Sequence, residues 1–466
     1  MKNHSMENLN FNKFQAKTFT YKRQDFQCVI EEIPLKVIPH IEKQGETFCF
    51  LESALHSTNK GQYSILAFGV HYATSEENTL KDLEDVLPQI EHLLNEDLPM
   101  VGTLYGYIPY NVVREIEPSV KCGKTQLIPD GFMFLPKNII IVDNFHDVVH
   151  ITSIYTEENN IIEILDFIKS SIITQVPYNE PVKNADLEGV LHENIGFYSK
   201  ESKEDYCQTV KQSIDYIKKG DVFQIVPSMR FYKEYTKHPL EFYQNLKKLN
   251  PSPYMFYFSA INQGTRFNII GASPEILINC KDNEIVLRPL AGTIKRGLNQ
   301  EEDEENARVL LANEKEIAEH LMLLDLGRND IGRVGSEVYV ERQMEIERYS
   351  HVMHISSTVK GKRNKDSSMV DILKSGLPAG TLSGAPKIRA MQIITELETT
   401  SRDFYGGAVG YISHNILQTC IVLRSSLIIK NMLYTQAGAG IVFDSIPENE
   451  YEECIHKITA IAKATY

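Results

Sequence analysis

The chain has 466 residues, too many for one ordinary hydrophobic core, and its 42% apolar and 24% charged residues are the balance of a globular protein in water. A formal net charge of −14 argues against a nucleic-acid partner, which needs a basic face. No apolar run approaches the roughly 18 residues that cross a bilayer, and the polar start MKNHSMENLNFNKF lacks the apolar stretch of an export signal.

Residues 1–20 read as a loose polar start. From about Tyr21 to Ile172, short β-rich runs (TFCFLE, YSILAFGV, NIIIVD) alternate with helical pieces such as 79–95 and the stretch NNIIEILDFIKSSII. Residues 176–196 carry Pro, Asn and charge without periodicity and read as a linker. A helix is expected from residue 201, with Tyr206, Val210, Ile214 and Ile217 on one face and Gly220 as its stop. Strand-like runs follow (VFQIVPSMRF, PYMFYFSA, FNIIGAS, EILINC), then a helix over 315–326, a strand near 337–346, a helix over 385–398, strands over 407–413, 418–428 and 433–437, and a last helix over 447–464. Strands that come in adjacent groups favour an α+β fold with antiparallel sheets. The expected division is 1–195 and 196–466.

Seven scattered cysteines (Cys28, Cys49, Cys122, Cys207, Cys280, Cys420 and Cys454), never spaced C-x-x-C, read as reduced thiols, so a cytoplasmic protein is expected. GAGIVF at 438–443 fails as a dinucleotide loop because Phe443 stands at the third glycine, and CGKT at 122–125 fails as a P-loop because Pro118 stands at the first. No nucleophile turn of the kind that hydrolyses glutamine is present.

Three patterns carry chemistry. Glu316 and Glu319, and again Glu450 and Glu453, lie three apart in helical segments, so each pair shares a face. If the two faces met they would suit Mg²⁺; the same spacing also suits two solvated helices with lysine partners. PLAGT (289–293), PAGTLSGAP (378–386) and QAGAG (436–440) place small residues where backbone N–H groups can approach an anion, with Arg424 and Lys457 near them in sequence. Glu275, after Gly-Ala-Ser-Pro, and His354, in the apolar run HVMHISS, are candidates for proton transfer, although a lone histidine in such a run is often only a core residue.

Taken in order, GDVFQIVPSMRF, NPSPYMFYF, GASPEIL, RPLAGTIKRG, EIAEHLMLLDLGRNDIGRVG, HVMHISS, PAGTLSGAPKIRAMQIITELE, DFYGGAVGYI, CIVLRSS, QAGAGIVFDS and EYEECIHK resemble the chorismate-binding enzymes from about 220 to 457. The resemblance implies two face-to-face antiparallel sheets flanked by helices. It implies Mg²⁺ on Glu319 and Glu453, with Glu316 and Glu450 steering bound water. It implies chorismate held by Gly292, Thr293, Tyr405, Arg424, Gly438, Ala439, Gly440 and Lys457. His354 and Glu275, with Thr293 beside them, would carry the proton transfers.

Members that add water carry a lysine where this chain has Gln224, and members that aminate at C4 commonly carry one at Ala291. Both residues therefore point to amination at C2, the anthranilate route, with ammonia supplied by a separate glutamine amidotransferase. FLESALHSTNKGQYSILAFG (50–69) resembles the segment where such subunits bind feedback tryptophan, which implies a pocket of Glu52, Ser53, Pro253, Tyr254 and Met255. Met229 and Gly327 depart from the common pattern at positions without chemistry. A subunit forming 4-amino-4-deoxychorismate, a water-adding isochorismate former and a non-catalytic tryptophan sensor on the same fold remain as alternatives.

Overall fold

The computed structural model describes residues 9–26, 28–54, 61–75, 78–156, 161–174, 176, 187–349 and 352–466. Part of the polar start, the 55–60 portion of the 50–69 segment and most of the expected linker lie outside them. No described helix is long and apolar enough to cross a membrane.

The α+β antiparallel class expected from the sequence is what forms. Every strand pairing among the described residues is antiparallel, and 20 strands join in one hydrogen-bonded network. The network forks at Phe132–Asp143. One edge of this strand pairs with Tyr63–Ala73; the other is shared between Leu104–Ile108, which takes its first residues, and Val148–Tyr155, which takes its last. Two layers result. The first runs outward through Tyr63–Ala73, Phe48–Glu52, Tyr254–Asn262, Thr265–Ser273, Ser425–Ile429, Met432–Gly438 and Ser228–Glu234. The second runs through Leu104–Ile108, Ala408–Ile412, Ile416–Ile421, Asn279–Lys281, Glu284–Leu287 and Val352–Arg363. Val352–Arg363 carries Leu290–Lys295 on one edge and Gly335–Arg348 on the other.

Period-two alternation decides which face each residue buries. Cys49, Phe256, Phe258 and Ile269 of the first layer meet Tyr105, Tyr107, Val409 and Cys420 of the second in a core between the sheets. Their neighbours Phe48, Phe50, Met255, Tyr257 and Ile270 turn outward under helices that include Ile33–Lys43, Lys203–Lys218, Pro239–Leu249 and Pro447–Ala464. Ile108, Ala408, Ile412, Leu417 and Ile421 turn the other way, under Thr79–Val86, Glu314–Gly332 and Met369–Gly376. Strands from both halves of the sequence thus pair directly: Phe48–Glu52 with Tyr254–Asn262, and Leu104–Ile108 with Ala408–Ile412.

Several elements differ from expectation for identifiable reasons. Gln15–Lys22 is a strand, not a loose start; it is an edge held by its backbone ladder to Val148–Tyr155 with most side chains in water, so hydropathy could not reveal it. The end of the expected linker forms a hairpin of Val190–His192 with Phe197–Ser199, pinned where the His192 ring meets the Tyr451 hydroxyl at 2.7 Å. Strands of three residues are too short for alternation to show. The helix expected over 315–326 runs from Glu314 to Gly332 because burial of Leu323, Leu324, Gly327 and Ile331 against the second sheet outweighs the helix cost of glycine. The single strand expected over 418–428 is two, Ile416–Ile421 and Ser425–Ile429, separated where the chain crosses between layers; Arg424, at φ +49°, makes the corner.

Candidate active site

Most of the predicted site residues lie on five segments: Leu290–Lys295, Val352–Arg363, the Arg424 corner, Glu314–Gly332, and the run from Met432–Gly438 into Pro447–Ala464; Gln224, Glu275 and Tyr405 come from outside them. The pairing of Leu290–Lys295 with Val352–Arg363 slips between Ala291 and Thr293, where Gly292 bulges at φ +75°, a conformation that favours glycine. The bulge aims the Gly292 carbonyl at the His354 ring.

His354 Nδ1 lies 3.1 Å from the Gly292 carbonyl oxygen and 3.0 Å from Thr293 Oγ1. A carbonyl can only accept, so Nδ1 carries the proton and Nε2 keeps a lone pair. Nε2 is buried without a hydrogen-bond partner among the described residues. Burial, helped by the Arg424 and Lys457 cations, pushes this histidine down to about 4, so it is neutral at physiological pH. It is a neutral imidazole with an unpartnered lone pair, not a core histidine with both ring nitrogens satisfied.

Glu275 has the opposite bias. Its Oε1 accepts a 3.4 Å hydrogen bond from the Leu290 N–H, at the start of the strand that pairs with the one bearing His354, and Oε2 accepts one of 3.3 Å from the Thr381 hydroxyl. A cavity of about 30 Å³ beside it is walled by Leu277, Leu287, Leu323, Leu326 and Ile421. Burial pushes Glu275 up to about 8; Arg424 pulls it down and Glu347 pushes it further up. A protonated carboxyl and a neutral imidazole, from separate parts of the chain, are thus both anchored to the strand Leu290–Lys295, Glu275 at the Leu290 N–H and His354 at Gly292 and Thr293.

The four glutamates each have their own partner. Glu319 Oε1 accepts from Gln224 Nε2 at 2.7 Å, and Glu453 pairs with Lys457 at 2.7 Å. Glu316 accepts from the Thr293 N–H, and Glu450 from the Ser445 hydroxyl. Burial raises Glu316, and Glu319 and Glu453 repel it further; Glu450 is raised by burial and by Glu453. The two acidic helices thus feel one another, although no three possible ligands among the described residues stand close enough to hold an ion together. The donor set is all oxygen and its charges repel, which fits a hard divalent cation. Glycine keeps the surroundings open: a Cβ on Gly292 would lie 3.2 Å from Glu316 Oε2, and one on Gly440 would lie 2.6 Å from Gln224 Nε2 and 3.5 Å from Glu319 Oε1.

Lys457 also donates to the Gly438 carbonyl at 2.7 Å, the Gly438 N–H bonds to buried Tyr405, and the Ala439 N–H reaches the Tyr206 hydroxyl at 3.3 Å. Ala291, facing Ile355 across the ladder, presents only a buried methyl group. Thr381, Glu347 and Tyr349 were not singled out from sequence, and Tyr206 only as part of a helix face. Thr381 stands inside a glycine-rich run already noted, and Tyr349 just before HVMHISS, so proximity to motifs was their only signal.

Glu52, Ser53, Pro253, Tyr254 and Met255 also converge, Met255 lying opposite Glu52 in the ladder and the Ala54 N–H bonding to the Ser252 carbonyl at 3.0 Å. The Glu52 carboxylate is occupied within the protein, taking 2.7 Å contacts from Lys247 and the Tyr243 hydroxyl proton.

The chain belongs to the family of chorismate-binding enzymes, which it matches over residues 47–463. It is 39% identical over 469 residues to component 1 of anthranilate synthase from Acinetobacter calcoaceticus, covering 93% of this chain and 92% of that one. With the component 1 of Acetivibrio thermocellus it shares 42% identity over 404 residues, 84% of this chain and 80% of the other. The crystal structure of anthranilate synthase component I from Streptococcus pneumoniae TIGR4 superposes with a TM-score of 0.73 at 34% identity, covering 88% of this chain and 94% of that one.

Proposed function

We propose that this chain is the aminating subunit of an anthranilate synthase, converting chorismate and ammonia to anthranilate, pyruvate and water. The observation that carries the reading is the opposed pair anchored to the strand Leu290–Lys295, a neutral His354 with a bare Nε2 and a Glu275 that holds its proton at pH 7. Ammonia attacks C2, and Glu275 protonates the departing C4 hydroxyl. His354 Nε2 then takes the C2 proton as pyruvate leaves and the ring aromatises. Arg424, Thr293, Lys457 and the 438–440 backbone orient the substrate's oxygens. Gln224 leaves no lysine to activate water and Ala291 no nucleophile, which supports C2 amination over the water-adding and C4-aminating alternatives.

Glu319 and Glu453, with Glu316 and Glu450 beside them, would hold Mg²⁺. When bound, the ion would orient the ring carboxylate of chorismate and draw off its charge. The test is the purified chain with chorismate, Mg²⁺ and ammonium, followed by anthranilate fluorescence and pyruvate release. Turnover should vanish in excess chelator and return with added Mg²⁺; equal rates with and without chelator would rule the ion out, and a product retaining the enolpyruvyl group would rule out the reaction.

Ammonia in the cell would come from a glutamine amidotransferase, the second component that the relatives' names imply. Glutamine should support turnover only with that partner present, whereas ammonium should suffice for this chain alone. The convergence of Ser53 with Tyr254 and Met255 supports a tryptophan site at that strand pair. Ser53→Phe is expected to raise the tryptophan concentration for half-inhibition at least about tenfold, with kcat within about twofold of wild type. Unchanged inhibition would remove the site.

A further inference from the structure

Val352–Arg363 is flanked on both edges, and His354 has a partner on each side: Thr293 on one strand and Glu347 on the other. Directly opposed residues project to the same face of a sheet, so Glu347 stands beside the catalytic histidine on the side away from Thr293. It makes an ion pair with Arg288 and accepts a 2.8 Å hydrogen bond from the Tyr349 hydroxyl. The Tyr349 ring lies edge-on to the His354 ring, centroids 5.5 Å apart at 66°. Arg288 Nε closes the circuit by reaching Ser356 Oγ, two residues beyond His354, at 3.2 Å.

We infer that Glu347 is a positioning residue for the catalytic pair, fixing the His354 ring through Tyr349 while its own charge faces Glu275. The inference rests on the reaction proposed above. Of the groups whose charge reaches Glu275, Arg424 and Glu347 act in opposite senses, and the Leu290 N–H and Thr381 hydroxyl are neutral donors. Arg424 favours the carboxylate that cannot donate a proton; Glu347 favours the acid that can. Arg288, half-exposed, compensates the Glu347 charge from the far side, so the carboxylate persists in a largely buried place. One side chain thereby orients the base through Tyr349 and adds to the burial that keeps the acid protonated.

Two variants test this. Tyr349→Phe keeps the ring and removes the bond to Glu347; kcat should fall about 3- to 10-fold with KM for chorismate within about twofold, because His354 and not substrate binding is disturbed. Glu347→Gln keeps the shape and removes the charge; the alkaline limb of the kcat/KM profile should move down by about half a unit to one unit. The same displacement should appear without turnover in carbon-13 NMR of labelled glutamate side chains, with Glu275 assigned through E275Q. A wild-type chain that makes no anthranilate would sink the functional reading alone, since the NMR titration still reads the influence of Glu347. An unmoved Glu275 titration in E347Q, or a Y349F enzyme with wild-type kcat, would overturn the inference.

Discussion

Replacing His354 with alanine is expected to lower kcat for anthranilate formation by about 10²- to 10⁴-fold, the usual worth of a positioned proton acceptor. The structure explains why no neighbour can substitute. Nδ1 is committed to the Gly292 carbonyl and Thr293, and Nε2 is the bare acceptor. Because His354 is pushed down to about 4, its protonation should limit kcat/KM only near that pH, well below the 6.5 of an ordinary histidine. The folded chain binds fewer protons at this site than the unfolded chain between about 4 and 6.5, so burying the ring costs stability progressively as pH falls through that window. His354→Ala should lose that slope in thermal melts. Anthranilate formation within a factor of ten of wild type would remove His354 from the mechanism.

Glu275→Gln should cost kcat a similar factor, for the opposite reason: an amide cannot protonate a departing hydroxyl. Wild-type activity should decline above about pH 8 as Glu275 ionises, and the residual activity of the variant should lack that limb. The stability effect has the opposite sign. Between 4.5 and about 8 the folded chain binds more protons at Glu275 than the unfolded chain, so stability falls as pH rises through that window, and above about 8 the whole cost of a buried carboxylate is present. Glu275→Gln should therefore melt higher than wild type at pH 9 and near it at pH 5. A variant that melts lower at pH 9 would show that the carboxylate is well solvated, contrary to its apolar surroundings. A higher melt would make the proposed acid a group that the fold is more stable without at alkaline pH.

How much of this was legible beforehand depended on whether the information was local. Glycine runs and acidic i, i+3 pairs are contiguous in sequence, and the helices that carry the acidic pairs are present. Glu275 was legible as an acid that must keep its proton and His354 as a proton acceptor, but what fixes either state was not. Their proton affinities depend on Leu290, Thr381 and Arg424, which reach the site from separate parts of the chain. The edge strand Gln15–Lys22 and the hairpin at 190–199 are held by backbone ladders, which hydropathy does not record. Glu347 was invisible for a related reason: only the ladder register puts it opposite His354.

The strand Phe132–Asp143, shared by both layers, bears on how the molecule is made. Leu104–Ile108 gains the neighbour on its second edge only when Ala408–Ile412 has been synthesised, some three hundred positions later, and the second edge of Phe48–Glu52 waits for Tyr254–Asn262. Until then the nascent chain carries bare ladder edges rich in aromatic side chains, the surface that sticks to other chains. Such long-range closure is slow. A chain cut short before residue 408 lacks the strand that Leu104–Ile108 needs on its second edge, so neither layer can be completed from the N-terminal half alone.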